Sequence, residues 1–360
     1  MRIIFPFKAV FLLVLVSVVF FSTKLDAAEQ VEIYTIEVPV KSQSQYFRNL
    51  AMREGLSEVL IRASGSDDVL NNDYIRSNLT KANAFVQQFA FQKTEPNQKI
   101  DASTFPWKLR LVFQDTVIQK LLSDAGLPVW SATRPLVLIW LAEENPQGRK
   151  IVELDTDTAQ VFLKESTRRA IPIQFPKMDL EDSSIVEFTD VWGRFSSPIQ
   201  TASKRYQSKV IVFGRIYPDR GKWHADWQMI LENERSGWRL EADSIEQASQ
   251  QLFTEIGRKL CDKYCLMTTD IVGNELLLRV SDLDNIIAAA GVEKYLMSLL
   301  PVRDINLIEL SGNQALFKLR LVSREQAVLE AIALDSALSP LPNPPTNTFE
   351  QRVYNYRWTP

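Results

Sequence analysis

The 360-residue sequence predicts an α+β protein in which three successive α/β sandwich modules follow an N-terminal signal peptide. Two patterns predict this class. Segments with apolar residues at every second position, which are typical of half-buried strands, alternate with segments whose apolar residues recur every three or four positions, as in amphipathic helices. The segments form three groups, so we expect modules at residues 31–130, 134–266 and 272–358.

The first 27 residues have the layout of a secretory signal peptide. Arg2 and Lys8 precede an apolar run, Ala9–Phe21, interrupted only by Ser17, which is short for a membrane span of about 20 apolar residues. Cleavage is expected near Ala27 or Ala28, where small residues follow the apolar run. We therefore expect an exported protein of the periplasm. If the segment stays uncleaved, it would anchor the chain to the inner membrane.

The first module is predicted to run strand, helix, short helix, strand, strand, helix. Alternate residues of Tyr34–Val40 are apolar and predict the first strand. The helix that follows should end at Gly65, because glycine readily adopts the left-handed conformation that ends a helix. Alternate residues of Trp107–Phe113 predict the third strand, and the closing helix should end at Gly126.

The second module is predicted to follow a linker at residues 127–135 and to begin with the strand Arg134–Ala142. A helix, a short proline-bounded strand and a helical region come next, and then a meander of three strands. In its middle strand, alternate residues of Trp223–Leu231 should face the core. The closing helix should begin with a capping box made by Asp243 and Glu246.

The third module is predicted to have the order β-α-β-β-α-β of a ferredoxin-like, split-βαβ sandwich. Its first helix should be capped by Asp282, and a hairpin turn is expected at Ser311–Asn313. Tyr354, Tyr356 and Trp358 should share one face of the last strand. The first module has the same order without the last strand, so both outer modules are expected to be ferredoxin-like.

Only two cysteines are present, Cys261 and Cys265, near the end of a predicted helix. A disulfide suits an exported protein. On a regular helix, however, side chains four residues apart have Cβ atoms about 5–6 Å apart, and a disulfide needs about 3.5–4.5 Å. A disulfide at a distorted helix end is therefore expected, and two buried thiols are the alternative. Two cysteines are too few to suggest a metal site.

The composition excludes several classes of partner. The chain has a formal net charge of −3 and no basic block, so we expect neither nucleic acid nor anionic lipid as a partner. The expected membrane contact is the N-terminal segment alone. The sequence contains no phosphate-binding glycine loop, and no cofactor is expected.

Catalytic motifs are also missing. The single histidine, His224, should point away from the core face of its strand into solvent, and the sequence has neither a zinc-protease motif nor a nucleophile elbow. Paired carboxylates could still act in glycoside hydrolysis. Each acidic pair also fits a helix cap, a turn or a solvated loop. The pairs are Asp67/Asp68, Glu143/Glu144, Asp155/Asp157, Glu181/Asp182 and Asp282/Asp284.

Five segments resemble one known family in order and spacing: residues 33–40, 53–70, 121–142, 209–217 with the tryptophans that follow them, and 292–307. They are similar to the uncharacterised proteobacterial exported proteins of the domain of unknown function 2066 family (DUF2066). The resemblance spans residues 31–338. It implies an exported protein of the Gram-negative envelope, with no assigned catalytic residue to carry over.

We expect a non-catalytic binding or assembly factor of the cell envelope, whose partner is an envelope protein or a glycan. Free strand edges at the ends of the modules would provide binding sites by strand addition. One alternative is a carboxylate-dependent enzyme acting on a glycan or on peptidoglycan. Another is a periplasmic small-molecule sensor or carrier, which would need an apolar pocket between modules. The oligomeric state is left open.

Overall fold

The computed structural model describes residues 28–94, 105–146, 148–267, 275–342 and 352–359. Within these ranges the chain forms three main β-sheets with helices packed on them, and a two-stranded pair that joins the first two modules. The expected class of α/β sandwich modules is confirmed. The predicted signal peptide and Ala27 lie outside the described residues, and Ala28 begins the first strand.

The N-terminal sheet has the strand order β2-β4-β3 and is antiparallel. Helix α1 packs on it through Leu56 and Leu60, which are fully buried. Gly55 permits this approach, because a Cβ there would lie 2.6 Å from Leu111 Cδ1. The helix ends, as predicted, at Gly65, whose φ is 75°. The elements are β1 (Ala28–Gln30), β2 (Thr35–Val40), α1 (Gln45–Ser64), α2 (Asp73–Leu79), β3 (Val86–Lys93), β4 (Trp107–Phe113) and α3 (Asp115–Asp124).

The elements of the middle module are β5 (Thr133–Pro135), β6 (Val137–Asn145), β7 (Gly148–Ile151), α4 (Asp157–Arg169), β8 (Ile173–Gln174), α5 (Leu180–Ile185), α6 (Phe188–Gly193), α7 (Ser196–Ser203), β9 (Val210–Asp219), β10 (Lys222–Leu231), β11 (Glu234–Ala242) and α8 (Ile245–Tyr264). The sheet has the order β11-β10-β9-β6-β7, and β8 also pairs with β6. Helices α4 and α8 cover one face and α5–α7 the other, so the central strand β6 is buried along most of its length.

The middle strand of the meander has its predicted core face. Trp227 and Met229 of β10 are buried against α4 and α8, with Trp223 partly buried beside them. The indole of Trp227 packs 6.1 Å from the ring of Phe162 on α4. The tryptophans of this strand therefore build the core, as their alternation indicates.

The C-terminal sheet has the order β13-β14-β12-β16-β15. Its elements are β12 (Glu275–Ser281), α9 (Ile286–Ser298), β13 (Val302–Ser311), β14 (Gln314–Leu321), α10 (Glu325–Leu334), β15 (Leu338–Pro340) and β16 (Val353–Trp358). The predicted order of elements is present, with one addition. Strand β15 pairs antiparallel with β16 at the edge of the sheet, and β16 runs parallel to β12.

Two predicted helix caps are displaced. Ser244, and not Asp243, caps α8 by accepting the backbone N–H of Gln247 at 3.2 Å. Asn285, and not Asp282, caps α9. Serine and asparagine cap helices as well as aspartate does, so composition alone could not select among neighbouring polar residues.

The predicted linker is instead part of the core. Trp130 and Arg134 are both completely buried, and the guanidinium carbon of Arg134 lies 3.9 Å from the centroid of the Trp130 ring. The backbone N–H of Trp130 donates to the carbonyl of Ala63 at 2.7 Å. This segment connects the N-terminal and middle modules, as a linker does, but it is buried and packed between them.

Arg134 donates hydrogen bonds to backbone carbonyls from both modules. Its Nη2 reaches the carbonyl of Arg62 at 2.5 Å, in the last turn of α1. Its Nη1 reaches the carbonyls of Arg169 and Ala170, at the end of α4, at 3.1 and 2.9 Å. Its Nε donates to Ser131 O at 3.2 Å. The negative ends of two helix dipoles therefore meet on one buried cation. Burial lowers the pKa of Arg134 to about 9, so the side chain is still protonated at neutral pH.

Ion pairs surround this contact. Arg168 donates to Glu58 of α1 at 2.7 Å, and Arg169 donates to Asp67 at 2.5 Å. Arg169 also pairs with Glu165 at 2.7 Å, where both side chains are more than nine-tenths buried. The end of α4 and the end of α1 are thus held in a fixed relation.

Cys261 and Cys265 form a disulfide at the end of α8, with Cα atoms 4.6 Å apart. The helix ends at Tyr264, so the bond lies at a helix end, as the spacing argument required. Cys261 packs against Gly65, where a Cβ would lie 3.1 Å from the Cβ of Cys261. The disulfide therefore contributes to the contact between α8 and the end of α1.

Replacing both cysteines by serine is expected to lower the free energy of unfolding by about 2 kcal/mol, because a bond that closes so short a loop removes little entropy from the unfolded chain. Urea denaturation of the double variant measures this change. Reductant should have the same effect on the wild type and none on the variant. A loss above about 4 kcal/mol would contradict the loop-entropy argument.

Candidate functional site

The outer edge of β2 has no partner strand among the described residues. In the C-terminal module, β16 lies beside the first strand, β12. In the N-terminal module the corresponding place beside β2 is a cleft with a volume of about 670 Å³, bounded on the far side by the middle module. Among the described residues, the N-terminal module has no strand in the position that β16 takes in its counterpart.

The backbone groups that face the cleft follow from the pairing of β2 with β4. The N–H of Phe113 donates to the carbonyl of Tyr34 at 2.9 Å. Hydrogen-bonded pairs alternate along antiparallel strands, so Ile36 and Val38 also face β4, while Thr35 and Glu37 point their N–H and C=O groups into the cleft. The edge is straight, because the register between β2 and β4 is unbroken.

Pro39 occupies the next position that faces the cleft. Proline has no N–H to donate, and inside sheets it is confined to edge strands with that side unpaired. Its place in β2 is therefore compatible with a free edge and would not suit a central strand. Pro39 also limits how far an added strand can pair with β2, because it can accept a hydrogen bond through its carbonyl but has no N–H to donate.

The opposite wall of the cleft is the segment that connects α4 with β8. Ala170, Ile171, Pro172 and Ile173 line it, and Ile36 of β2 lines the near wall. The backbone of this segment is held in place, because Pro172 O accepts the N–H of Val137 at 3.0 Å. The two walls are thus apolar in part and belong to two modules that Arg134 joins.

Arg62 closes one end of the cleft. Its Nη1 donates to Thr35 O at 2.9 Å and to Glu32 O at 3.4 Å, and its Nε donates to Arg168 O on the far wall at 2.7 Å. Burial lowers the pKa of Arg62. The carbonyl of Thr35 is therefore occupied, whereas the N–H and C=O of Glu37 remain available to a bound strand.

The open part of the cleft has one acidic and one basic side chain and, among the described residues, only the acidic one has an ion-pair partner. Glu37 accepts from Lys108 at 3.4 Å, so its carboxylate is partly neutralised. Arg110, opposite Glu37 on β4, also lines the cleft. Within the described part of the chain, the Arg110 guanidinium forms no ion pair. The cleft thus presents one cation that a bound carboxylate could neutralise.

Other strand edges are protected in ways that β2 is not. Strand β13 exposes Leu307, Ile308 and Leu310, but its register with β14 is broken at two places, and such irregularities turn an edge away from new partners. Strand β3 also has an irregularity, near Val86. The remaining edges are short or charged, as natural edges commonly are. The edge of β2 lies inside a cleft and is regular.

The acidic pairs identified in the sequence have structural partners or lie in solvent. Glu143 accepts from Thr158 at 2.9 Å, and Glu144 pairs with Arg149 at 3.0 Å. The remaining pairs also have partners, except for three residues that are exposed. Asp67 pairs with Arg169, Asp68 accepts from the Ser66 hydroxyl, Asp182 accepts from Tyr206 and Arg205, Glu181 pairs with Arg205, Asp282 pairs with Arg357, and Asp155, Asp157 and Asp284 are exposed. These contacts are those of structural carboxylates.

The disulfide is not placed for redox chemistry. Reactive cysteines are typically at helix N-termini, where the dipole stabilises a thiolate. Cys261 and Cys265 are at the C-terminus of α8, where the dipole has the opposite sign. In the described residues no group of three or more acidic, histidine or cysteine side chains could hold a metal ion.

His224 faces away from the core as predicted, but it is not free in solvent. It stacks on Tyr217 with ring centroids 5.6 Å apart, and the row continues through Trp192 to Phe188. Its side chain is 20% exposed. The prediction of a solvent-facing histidine failed because α6 folds back over this end of the sheet.

Asp226 lies on the same face of the sheet and is buried. Burial opposes its ionisation, but hydrogen bonds from Arg239 at 2.6 Å and Arg215 at 2.8 Å outweigh burial and hold the pKa of Asp226 below its ordinary value. Because the pKa of Asp226 is lower in the folded than in the unfolded state, the ionised carboxylate stabilises the fold above its unfolded pKa of about 4. This contribution is lost as the pH falls and the carboxylate becomes protonated.

Asp226→Asn is therefore expected to cost about 2 kcal/mol of stability at pH 6, the range of hydrogen bonds to charged groups. The difference from the wild type should shrink as the pH is lowered to 3. Urea denaturation at the two pH values measures it. A difference that stays constant would show that the Asp226 carboxylate does not contribute through its charge.

The cleft could not be found from motifs. Arg62 and Arg110 lie on an ordinary helix and an ordinary strand, and nothing in their spacing marks them. The one local signal is Pro39, whose position inside a strand already indicates a free edge.

A family model described as a domain of unknown function (DUF8605) matches residues 27–131, which include β2 and most of the N-terminal module. The expected resemblance to DUF2066 is therefore wrong, because the family that matches is a different one. Two of the segments on which it depended, residues 209–217 and 292–307, lie outside the match. Neither a curated protein nor a solved structure matches the chain. Among the described residues, no helix is both long enough and apolar enough to cross a membrane.

Proposed function

We propose that this protein is a non-catalytic binding or assembly factor of the cell envelope, which captures an extended segment of another envelope protein by strand addition to β2. The observation that carries the proposal is the free, regular edge of β2 inside a cleft. In strand addition, backbone hydrogen bonds supply affinity, and side-chain contacts at alternate positions supply specificity.

The backbone available in the cleft supports this mode of binding. The N–H and C=O of Glu37 point into the cleft. The N–H of Thr35 also points into the cleft, whereas the carbonyl of Thr35 already accepts a hydrogen bond from Arg62. A segment hydrogen-bonded to these groups would occupy the position that β16 holds beside β12 in the C-terminal module.

The side chains of the cleft favour a particular kind of segment. Ile36 and the apolar residues Ala170–Ile173 would contact one face of the added strand. Arg110 would face the other and would be neutralised by an aspartate or glutamate. We therefore expect a segment that alternates between small apolar residues and positions that include one carboxylate.

Rigidity of the site also supports capture. Arg62 hydrogen-bonds both walls, and Arg134 fixes α1 against α4 behind them. A preorganised cleft loses little entropy on binding. The signal-like N-terminal segment supports a site of action in the periplasm.

Photo-crosslinking in cells tests the proposal. A photoreactive amino acid is placed at Ile173 in the cleft and, as a matched control, at Ile308 on the exposed edge of β13. We expect one discrete protein adduct from position 173 and none from position 308. The adduct should map to an extended segment of the partner. Adducts from position 308 alone, or from neither position, would contradict the proposal.

A glycan or peptidoglycan enzyme is the less supported alternative, because the acidic pairs are engaged with partners or exposed in solvent. Substitution of Glu143 by Gln is the most direct check, since that carboxylate is buried. If the variant folds and the cellular phenotype is unchanged, this alternative is removed.

A further inference from the structure

We propose that a second, separate cavity, at the junction of the three modules, binds a small monocarboxylate with an apolar body. The cavity has a volume of about 370 Å³ and lies beside the disulfide. The segment after α3, the end of α8, the turn between α9 and β13, and one side of α10 line it. This site does not depend on the β2 cleft.

One end of the cavity is suited to an anion. Helix α10 begins at Glu325, and the N-cap residue Arg324 makes no side-chain cap, so the first N–H groups of the helix lack a capping acceptor. Arg324 lines the cavity, and its side chain forms no ion pair in the described part of the chain. A helix N-terminus and an unpaired cation together favour a negative charge.

Ser323 places a second polar group, independent of the helix N-terminus, on the wall of the cavity. Its side chain is 3% exposed and lines the cavity, and among the described residues its hydroxyl has no hydrogen-bond partner. The hydroxyl oxygen itself keeps accessible surface, so it can donate a hydrogen bond to a group bound in the cavity. A carboxylate bound at the start of α10 would accept a hydrogen bond from the Ser323 hydroxyl.

Tyr264 adds a second unpaired donor. It lines the cavity, and its hydroxyl is buried without a hydrogen-bond partner in the described structure. Burial raises the pKa of Tyr264, so the hydroxyl stays protonated and can only gain by donating to an acceptor.

Part of the wall is apolar. Ala327, Ala331 and Leu334 recur every three or four residues and form one face of α10, where the two alanines leave space that larger residues would fill. Leu299 and Leu300 lie across from them. The ligand therefore needs an apolar body next to its charged group.

The remaining charges limit the ligand to one negative charge. Asp262 and Glu330 also line the cavity and would repel a second anionic group. Lys263 lines it too, but it already pairs with Glu232. A phosphate dianion or a dicarboxylate is thus disfavoured relative to a monocarboxylate.

Calorimetric titration of the whole protein with octanoate tests the proposal, with octanol as the uncharged probe and octyl phosphate as the doubly charged one. We expect saturable binding of octanoate with a Kd below about 1 mM, and binding at least about tenfold weaker for both other probes. Arg324→Gln should weaken octanoate binding about tenfold and leave octanol binding unchanged. Arg220→Gln, at an exposed arginine away from the cavity, is the matched control.

Ala331→Phe should abolish binding of all three probes by filling the cavity. If this variant fails to fold, Arg324→Gln still decides, because Arg324 is exposed at its helix end. The proposal is overturned if octanoate does not bind saturably, if octanol or octyl phosphate binds as tightly, or if Arg324→Gln has no effect.

Discussion

Replacing Arg134 by methionine is expected to lower the free energy of unfolding by about 3–5 kcal/mol. The guanidinium is completely buried and donates to the backbone carbonyls of Arg62, Ser131, Arg169 and Ala170. Each carbonyl left without a donor costs about 1–3 kcal/mol. Methionine has no charge to bury, so the variant no longer has the desolvation cost of the guanidinium, which offsets part of this loss. Methionine has similar length and keeps much of the packing on Trp130.

Urea denaturation measures this change, with two controls that separate charge from geometry. Arg134→Lys keeps the charge but loses the planar fork, so it should lie between the wild type and Arg134→Met. Arg220→Met, at a side chain that is 92% exposed, should change stability by less than about 0.5 kcal/mol. If Arg134→Met and Arg220→Met were equally harmless, Arg134 would not join the modules as described.

The second large effect is on binding. Glu37→Pro removes the N–H that points into the cleft and leaves the β2–β4 hydrogen bonds intact, because those are made by Ile36 and Val38. We expect binding of a strand-forming segment to weaken by a factor of about 10 to 100, since one carbonyl of the segment would lose its donor. A peptide selected against the wild type from a library of linear peptides serves as the probe, and calorimetry measures its Kd.

Two further variants make this result specific. Glu37→Ala loses the same contact with Lys108 but keeps the N–H, so it should bind within about threefold of the wild type. Ile36→Pro removes an N–H that faces β4 and should destabilise the sheet itself. Equal affinities for Glu37→Pro and Glu37→Ala would show that the peptide does not extend β2.

Much of the fold follows from local pattern. The alternation in β2, β4 and β10 identifies both the strands and their buried faces, and Gly65 marks the end of α1. These features depend on residues a few positions apart, where periodicity is informative. The disulfide was also expected, because a helix end allows a spacing that a regular helix does not.

The junction between modules was not predictable in the same way. Arginine is normally exposed, so Arg134 in a proline-bounded segment indicates a linker. Its burial depends on the ends of α1 and α4, which are brought together by elements far apart in sequence. Sequence patterns carry no information on which helix ends will meet.

The cleft shows a similar limit. A free edge exists only relative to the strands that are present, and the order β2-β4-β3 results from pairings between distant segments. Pro39 indicates that one side of its strand is unpaired, but it does not tell which wall lies opposite. The opposite wall is identified only in the structure, where Arg62 hydrogen-bonds to both sides of the cleft.

Hydrogen exchange at a single amide tests the central claim most directly. The N–H of Glu37 should exchange rapidly in the free protein and become protected when the selected peptide or the crosslinked partner is bound. The N–H of Ile36, which faces β4, should be protected in both states. If Glu37 exchanges equally fast with and without the bound segment, the edge of β2 is not the binding site.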